Sequence, residues 1–342
     1  MIIPIVFLVF SKNKISLIKH ETFLSQYSIT LQSVKITACL LYPTIFWEVE
    51  FFMIQTWLGN SNTKVSRLGL GCAPLSVSGR PDRSQAIAVI QAAFESGISL
   101  FDTANTYCLD EHDLGHNEHL LQEALSGYSS DDYLIITKGG LARPNGTWIC
   151  DGKPHSLRAA CEHSLRTLQR EYHPMYILHA PDPDVPFEES VGELIRLQNE
   201  GKILHLGLSN VSVAQCQQAL NMTTISCIQN RLHLYDRHSD DVLRWCEQHI
   251  ISFIAYSPFG GSERSSHLQS DPILTELAHK YSVSPYQIVI AWLLALSPNL
   301  LPIPAATKPA SIEDSTRGID LLLDAADISL LTNLASSSKH SI

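Results

Sequence analysis

From Met53 onward, short β-rich runs alternate with amphipathic helical runs, without interruption, toward the C-terminus. The apolar, β-branched runs 68–70, 99–103, 133–137, 175–178, 203–208, 225–229, 251–255 and 300–303 are expected to be strands. Helical spacing is expected over 85–95, 117–125, 187–198, 212–220, 240–248, 271–281, 285–296 and 312–321. A further helix is expected to run from an N-cap at Ser156 to about Leu168. Strands that alternate with helices imply a parallel sheet. Eight such units in a row predict an α/β fold, a closed (β/α)8 TIM barrel. A β-hairpin turning at Gly59-Asn60-Ser61-Asn62 is expected to precede it. A doubly wound sheet would instead call for a glycine-rich phosphate turn after the first strand. Leu68-Gly69-Leu70-Gly71-Cys72 has two glycines, but Pro74 follows and no G-x-G-x-x-G occurs.

Bulk properties narrow the function classes. The chain has 342 residues, 45% of them hydrophobic, and a net charge of -10. That balance gives no clustered basic face for nucleic acid. It suits a soluble cytoplasmic protein. The eight cysteines form no C-x-x-C pair and sit mostly in apolar runs, so buried reduced thiols are expected. Residues 1–52 differ from the rest. Met1 to Phe10 is apolar but too short to cross a bilayer and lacks a preceding basic region. Ile36 to Phe52 carries Pro43, Glu48 and Glu50, so no membrane span is expected there either. Ile36-Thr37-Ala38-Cys39 has a lipobox-like end, but Lys35 interrupts the apolar run that lipidation requires. Residues 1–52 are therefore expected to be a non-catalytic or disordered extension, and 53–342 a single barrel domain.

Three strands end on ionisable groups. Asp102 lies at the end of the second run with Tyr107 just beyond it, Lys138 directly follows the third, and His179 directly follows the fourth. In a parallel barrel such positions share one mouth, where active sites sit. A phenol that gives up a proton near neutral pH needs its pKa lowered from about 10 by roughly three units. A neighbouring ammonium supplies energy of that order at an effective dielectric of about 20. Lys138 is expected to acidify Tyr107 in this way, with Asp102 holding the ammonium and His179 donating to the same substrate oxygen. This set suits carbonyl polarisation with proton donation. It does not suit acyl transfer, because no paired Ser or Cys nucleophile stands out.

The strings FDTANTY, ITKGG and ILHAPDP resemble the aldo-keto reductases, as do GLSN, IQN, AYSPFG and IPAATKP further along. The resemblance runs in order from about Met53 to the C-terminus. It implies hydride transfer between a nicotinamide cofactor and a carbonyl or alcohol, on a barrel whose base is closed by a hairpin. It implies that Tyr107 is the proton donor, with Lys138 and Asp102 as its partners and His179 orienting the carbonyl. Ser209, Asn210 and Gln229 match positions that bind the nicotinamide carboxamide, and Tyr256 the aromatic that stacks on its ring. Ser257, Phe259 and Gly260 match the pyrophosphate path. The last segment departs from the pattern: Ala305 and Ser311 stand where many relatives carry basic residues, and Ser315 replaces a common Asn. NADPH is expected over NADH, with Thr307 and Lys308 at the phosphate and Ser311 and Ser315 also among the cofactor contacts. Lys138 to Arg158 resembles a bacterial-type subgroup that includes pyridoxal reductases.

Other readings compete. Ser209 and Asn210 could instead cap a helix. His112, His116 and His119 have spacings that a helix would align, which would suit a metal-assisted hydrolase. Gly115 and an expected N-cap at Asn117 leave only His119 inside a helix, so no metal site is expected. A cofactor-binding regulatory subunit with slow turnover is the third class. The carbonyl substrate and the oligomeric state are not encoded in any motif of this kind; pyridoxal, small aldehydes and sugars all fit.

Overall fold

The computed structural model describes residues 7–11, 14–19, 28–31, 34–41, 44–51, 53–261 and 264–337. The chain divides into two units, Met1–Ile54 and Gln55–Ile342. In the first, strands Phe7–Ser11, Lys14–Lys19, Ser28–Leu31, Val34–Leu41 and Thr44–Phe51 pair antiparallel in one sheet.

The second unit carries eight strands of one sheet. They are β1 (Leu70–Gly71), β2 (Leu100–Asp102), β3 (Leu134–Gly139), β4 (His173–Leu178), β5 (Ile203–Ser209), β6 (Cys227–Arg231), β7 (Ser252–Tyr256) and β8 (Leu300–Ile303). Each pairs parallel with the next. The ring closes through the Gly69 and Gly71 amides, which donate to the carbonyls of Pro302 and Pro304 at 3.0 Å each. A Cβ on Gly71 would lie 2.9 Å from the Ile303 carbonyl oxygen, so glycine is what lets the seam close. The two glycines that fail as a nucleotide turn are therefore seam residues.

The helices are α1 (Arg83–Glu95), α2 (His116–Ala124), α3 (Pro154–Leu168), α4 (Phe187–Asn199), α5 (Val213–Leu220), α6 (Asp240–His249), α7 (Pro272–Tyr281), α8 (Pro285–Leu296), α9 (Pro309–Arg317) and α10 (Ala325–Ser337). Several starts differ from expectation for identifiable reasons. Helix α3 begins at Pro154 rather than after Ser156, because proline's fixed φ suits the first helical position. Helix α9 begins at Pro309, not Ile312, for the same reason. Helix α2 begins at His116 after Gly115 at φ 81°, because Asn117 spends its side chain on tertiary partners instead of capping. The sequence reading missed α10, whose Leu331 is fully buried.

Two apolar layers hold the barrel. Leu58, Val65, Leu100, Ile136, Met175, Ile177, Ile254 and Leu301 belong to one buried cluster, and a larger one lies between strands and helices. The hairpin pairs Gln55–Trp57 with Lys64–Ser66. Its turn presses on the starts of β6 and β7. Gly59 N–H donates to Ser252 Oγ at 2.7 Å, and a Cβ there would meet the Ser226 carbonyl. The hairpin thus seals the N-terminal end of the barrel, and the opposite end is left for chemistry.

Candidate active site

Asp102 is the last residue of β2, Lys138 the penultimate residue of β3, and His179 follows β4 directly. Parallel pairing brings these C-terminal strand ends together. Tyr107 sits in the loop after β2. Lys138 Nζ donates to Asp102 Oδ2 at 2.7 Å, to Tyr107 Oη at 2.9 Å and to the Thr103 carbonyl at 2.9 Å. Its three donors are satisfied and the side chain is wholly buried. The Tyr107 and His179 rings meet edge to face, with centroids 5.6 Å apart. All four sequence-predicted groups therefore share one mouth.

The electrostatics differ from the expected acidification. Burial first, and then the Asp102 charge, push the Tyr107 phenol well above its ordinary value. Burial lowers the Lys138 ammonium, and Asp102 counteracts that. Because the ammonium is neutralised by a carboxylate in contact with it, little net positive charge reaches the phenol. Burial, then Lys138, depress His179 well below the usual imidazole range, so it is neutral. Its Nδ1 is buried without a hydrogen-bond partner. A neutral imidazole beside a protonated phenol donates a hydrogen bond at one ring nitrogen and accepts one at the other.

The expected cofactor residues are distributed unevenly. Ser209 ends β5 and is buried; Asn210 follows at φ 58°, exposed. Neither caps α5, which Ser212 opens with a capping box to Gln215. Asn210 Nδ2 donates to the His179 carbonyl, and its Oδ1 accepts from Tyr256 Oη at 2.8 Å. Gln229 Nε2 donates to Asp102 Oδ1 at 2.6 Å, so its amide nitrogen is committed to that carboxylate. Tyr256 ends β7, partly exposed, with the exposed Arg231 guanidinium 5.9 Å from its ring centroid. Ser257 at φ 51° and Gly260 at φ 84° turn the chain out of β7, while the Phe259 ring packs on Tyr286. Thr307, Lys308 and Ser311 are exposed around the first turn of α9, a helix N-terminus suited to anions. Ser315 is buried and donates to the Ser311 carbonyl, turned away from that surface.

Among the expected metal candidates, His112 and His119 are exposed and His116 Nδ1 pairs with Ser76 Oγ. Among the described residues no group of three or more His, Cys, Asp or Glu side chains is arranged to hold a metal ion.

Sequence reasoning missed Trp148 and Arg143. They lie on the small hairpin Leu141–Ala142 with Ile149–Cys150, inside a loop marked only for its length and position. Trp148 stands edge-on to both Tyr107 and His179, 6.4 Å from each. The three rings are thus mutually near-perpendicular. Arg143 covers a face of Trp148 at 3.9 Å and donates to the Cys108 and Leu109 carbonyls, in the loop that carries Tyr107. Gly152 N–H is held by Asp182 Oδ2, which pins the other end of the hairpin beside the His179 loop.

The chain also resembles known proteins in sequence and fold. The Aldo/keto reductase family model matches residues 67–336. A probable aldo-keto reductase 1 of Glycine max is 31% identical over 301 residues, covering 79% of this chain and 86% of its own length. An oxidoreductase of Schizosaccharomyces pombe is 32% identical, covering 76% of this chain and 83% of its own. A thermostable aldo-keto reductase crystallised with the inhibitor epalrestat aligns with a TM-score of 0.72 at 26% identity, over 82% of this chain and all of that one. An aldo/keto reductase from Klebsiella pneumoniae, solved with NADP and acetate, aligns with a TM-score of 0.69 at 27% identity, over 82% of this chain and 95% of that one. With the family model matching most of its length and the barrel matching solved members, the chain belongs to the aldo/keto reductase family of NAD(P)H-dependent oxidoreductases.

Proposed function

We propose that the protein reduces an aldehyde or ketone to the alcohol with NADPH, and that Tyr107 delivers the proton. The observation that carries this reading is the buried chain Asp102–Lys138–Tyr107 beside His179. Burial keeps the phenol protonated and therefore loaded. Once the proton has moved to the substrate oxygen, Lys138 already donates to the phenolate left behind. Asp102, braced by Gln229, keeps the ammonium in place. Neutral His179 is free to donate to the carbonyl and hold it against Tyr107.

The residues present fit a nicotinamide dinucleotide. His179 Nδ1 is a buried polar atom with no partner within the protein. Ser209 and Asn210 at the end of β5 and Tyr256, Ser257 and Gly260 at the end of β7 line the mouth, and the α9 N-terminus with Thr307, Lys308 and Ser311 offers an anion site. Bound there, NADPH supplies the hydride. The Klebsiella aldo/keto reductase was solved with NADP, which supports the same cofactor here. Lys308 is the cation nearest to that helix end in sequence, which favours the 2′-phosphate form.

The mouth has an apolar rim: Trp148 is 45% exposed, Ile149 44% and Leu109 39%. One face of Trp148 is covered by Arg143, so the other is available to a flat ring. This supports a planar aromatic aldehyde, pyridoxal among them, ahead of sugars. Free thiols at Cys72, Cys108, Cys150, Cys161, Cys216, Cys227 and Cys246 suit a reducing cytoplasm. Among the described residues no helix is long and apolar enough to cross a membrane.

The test is NADPH oxidation against a carbonyl panel including pyridoxal, with NADH as control. Tyr107→Phe should abolish turnover and leave NADPH binding intact. Retained turnover sinks the proton-donor role, and a higher kcat/KM with NADH sinks the cofactor assignment.

A further inference from the structure

Two consecutive residues of α2, Asn117 and Glu118, are wholly buried although both are polar. Neither touches the four catalytic groups. Each instead grips the strand residue adjoining one of them. Asn117 Oδ1 accepts from Thr103 Oγ1 at 2.6 Å, and Thr103 follows Asp102. Glu118 Oε1 accepts from Thr137 Oγ1 at 2.5 Å, and Thr137 precedes Lys138. Strand residues alternate between faces. Lys138 therefore reaches into the barrel while Thr137 reaches out to the helix layer.

The grip is anchored elsewhere. Asn117 Nδ2 also donates to the Cys72 carbonyl and to Ser76 Oγ, just beyond β1. Gly115, at the start of α2, donates to the Asn105 carbonyl inside the catalytic loop. A Cβ on Gly115 would meet His163 of α3, so the helix start is wedged between its neighbours. A single rigid turn thus ties the ends of β1, β2 and β3 together from outside.

A buried carboxyl is a costly way to accept one hydrogen bond. Glu118 Oε2, Ser164 Oγ on α3 and Tyr176 Oη on β4 make no well-formed hydrogen bond, although Ser164 lies close enough to Glu118 to favour its charged form as Thr137 does. Charged and titratable neighbours facing the carboxyl are Lys138 on β3, Tyr176 on β4 and Cys161 on α3. An apolar side chain of similar size would remove the cost, so the carboxyl is retained for what it holds.

We propose that Asn117 and Glu118 are positioning residues that set the Asp102–Lys138 pair through Thr103 and Thr137. The proposal rests on the reading of Tyr107 and Lys138 given above. Loosening either prong lets Lys138 drift from Tyr107 and slows proton delivery while substrate and cofactor still bind.

The experiment uses the full chain, with NADPH and the best carbonyl of the panel. Thr137→Val is close to isosteric and removes one donor; Glu118→Leu removes its acceptor. Each should lower kcat about tenfold, with KM and the NADPH Kd unchanged. The double variant should be no worse than the poorer single, because both break one bond. Glu118→Gln, which still accepts from Thr137, should recover most of the loss. Should Glu118→Leu fail to fold, Thr137→Val and Glu118→Gln carry the comparison. Additive losses, losses in KM or NADPH binding, or a Gln variant as slow as Leu would each overturn the proposal. Tyr107→Phe is run in parallel. If it retains turnover, the reading of the site itself fails and the proposal falls with it. If it is dead while Thr137→Val is unimpaired, only the clamp fails.

Discussion

Lys138 Nζ lies 2.9 Å from Tyr107 Oη and 2.7 Å from Asp102 Oδ2, so one buried ammonium bridges a phenol and its own counter-charge. Removing it should therefore do two separable things. Lys138→Met should abolish turnover and destabilise the fold by roughly 3–5 kcal/mol, because it leaves the Asp102 charge buried beside the neutral groups Gln229 and Tyr107, with no counter-ion. Asp102→Asn in the same chain should restore much of the stability and none of the activity. Urea denaturation with parallel kinetics checks both. A Lys138→Met chain as stable as wild type would show that Asp102 is not charged in the fold.

Trp148 should set substrate preference rather than rate in general. Trp148→Ala should lower kcat/KM for benzaldehyde by roughly tenfold, the scale of a lost aromatic pair plus its burial. Glyceraldehyde, too small to lie along the indole, should be affected far less. Trp148→Phe should fall between. Equal losses on both aldehydes would mean that Trp148 only props Tyr107 and His179.

Glu118 makes stability depend on pH. Burial raises its carboxyl to about 7. A folded value above the unfolded one, about 4.3, means the native state binds the extra proton. The resulting stability is fully present below about pH 4 and is lost as pH rises through about 7. Glu118→Gln removes this dependence. The variant should thus melt above wild type at about pH 9, by up to roughly 3 kcal/mol, and the gap should narrow toward pH 5. Thermal unfolding of both proteins across that range measures it. A gap that widens as pH falls would contradict a raised carboxyl.

Residues 1–52 are proposed to be dispensable for catalysis. The compact barrel unit starts at Gln55, the family match starts at 67, and the hairpin Gln55–Trp57 with Lys64–Ser66 already seals the base. A chain beginning at Met53 should keep kcat and melting temperature. Loss of folded, active protein would show that the extension belongs to the enzyme.

The order of strands and helices was legible because each element has its own periodicity: β-branched runs, amphipathic spacing, and proline or serine at helix starts. Asp102, Tyr107, Lys138 and His179 were legible because each interrupts an apolar run at a strand end, and a parallel barrel leaves such ends only one place to meet. Seven ordered motifs added the family. Trp148 was invisible, since an aromatic in a loop has no periodicity to betray its target. Asn117 and Glu118 were masked by the histidines around them, which drew attention to a metal.

What the sequence determined alone was the alternation that makes a barrel, the hairpin at its base and the four groups at its mouth. What only the tertiary structure decided was the electrical state of those groups. Acidity depends on net charge and burial at the phenol, and both follow from Asp102 and Lys138 meeting in contact inside the barrel. The glycines of the seam, the indole on the mouth and the α2 grip are likewise facts of distance between segments far apart in the chain, and no local pattern encodes them.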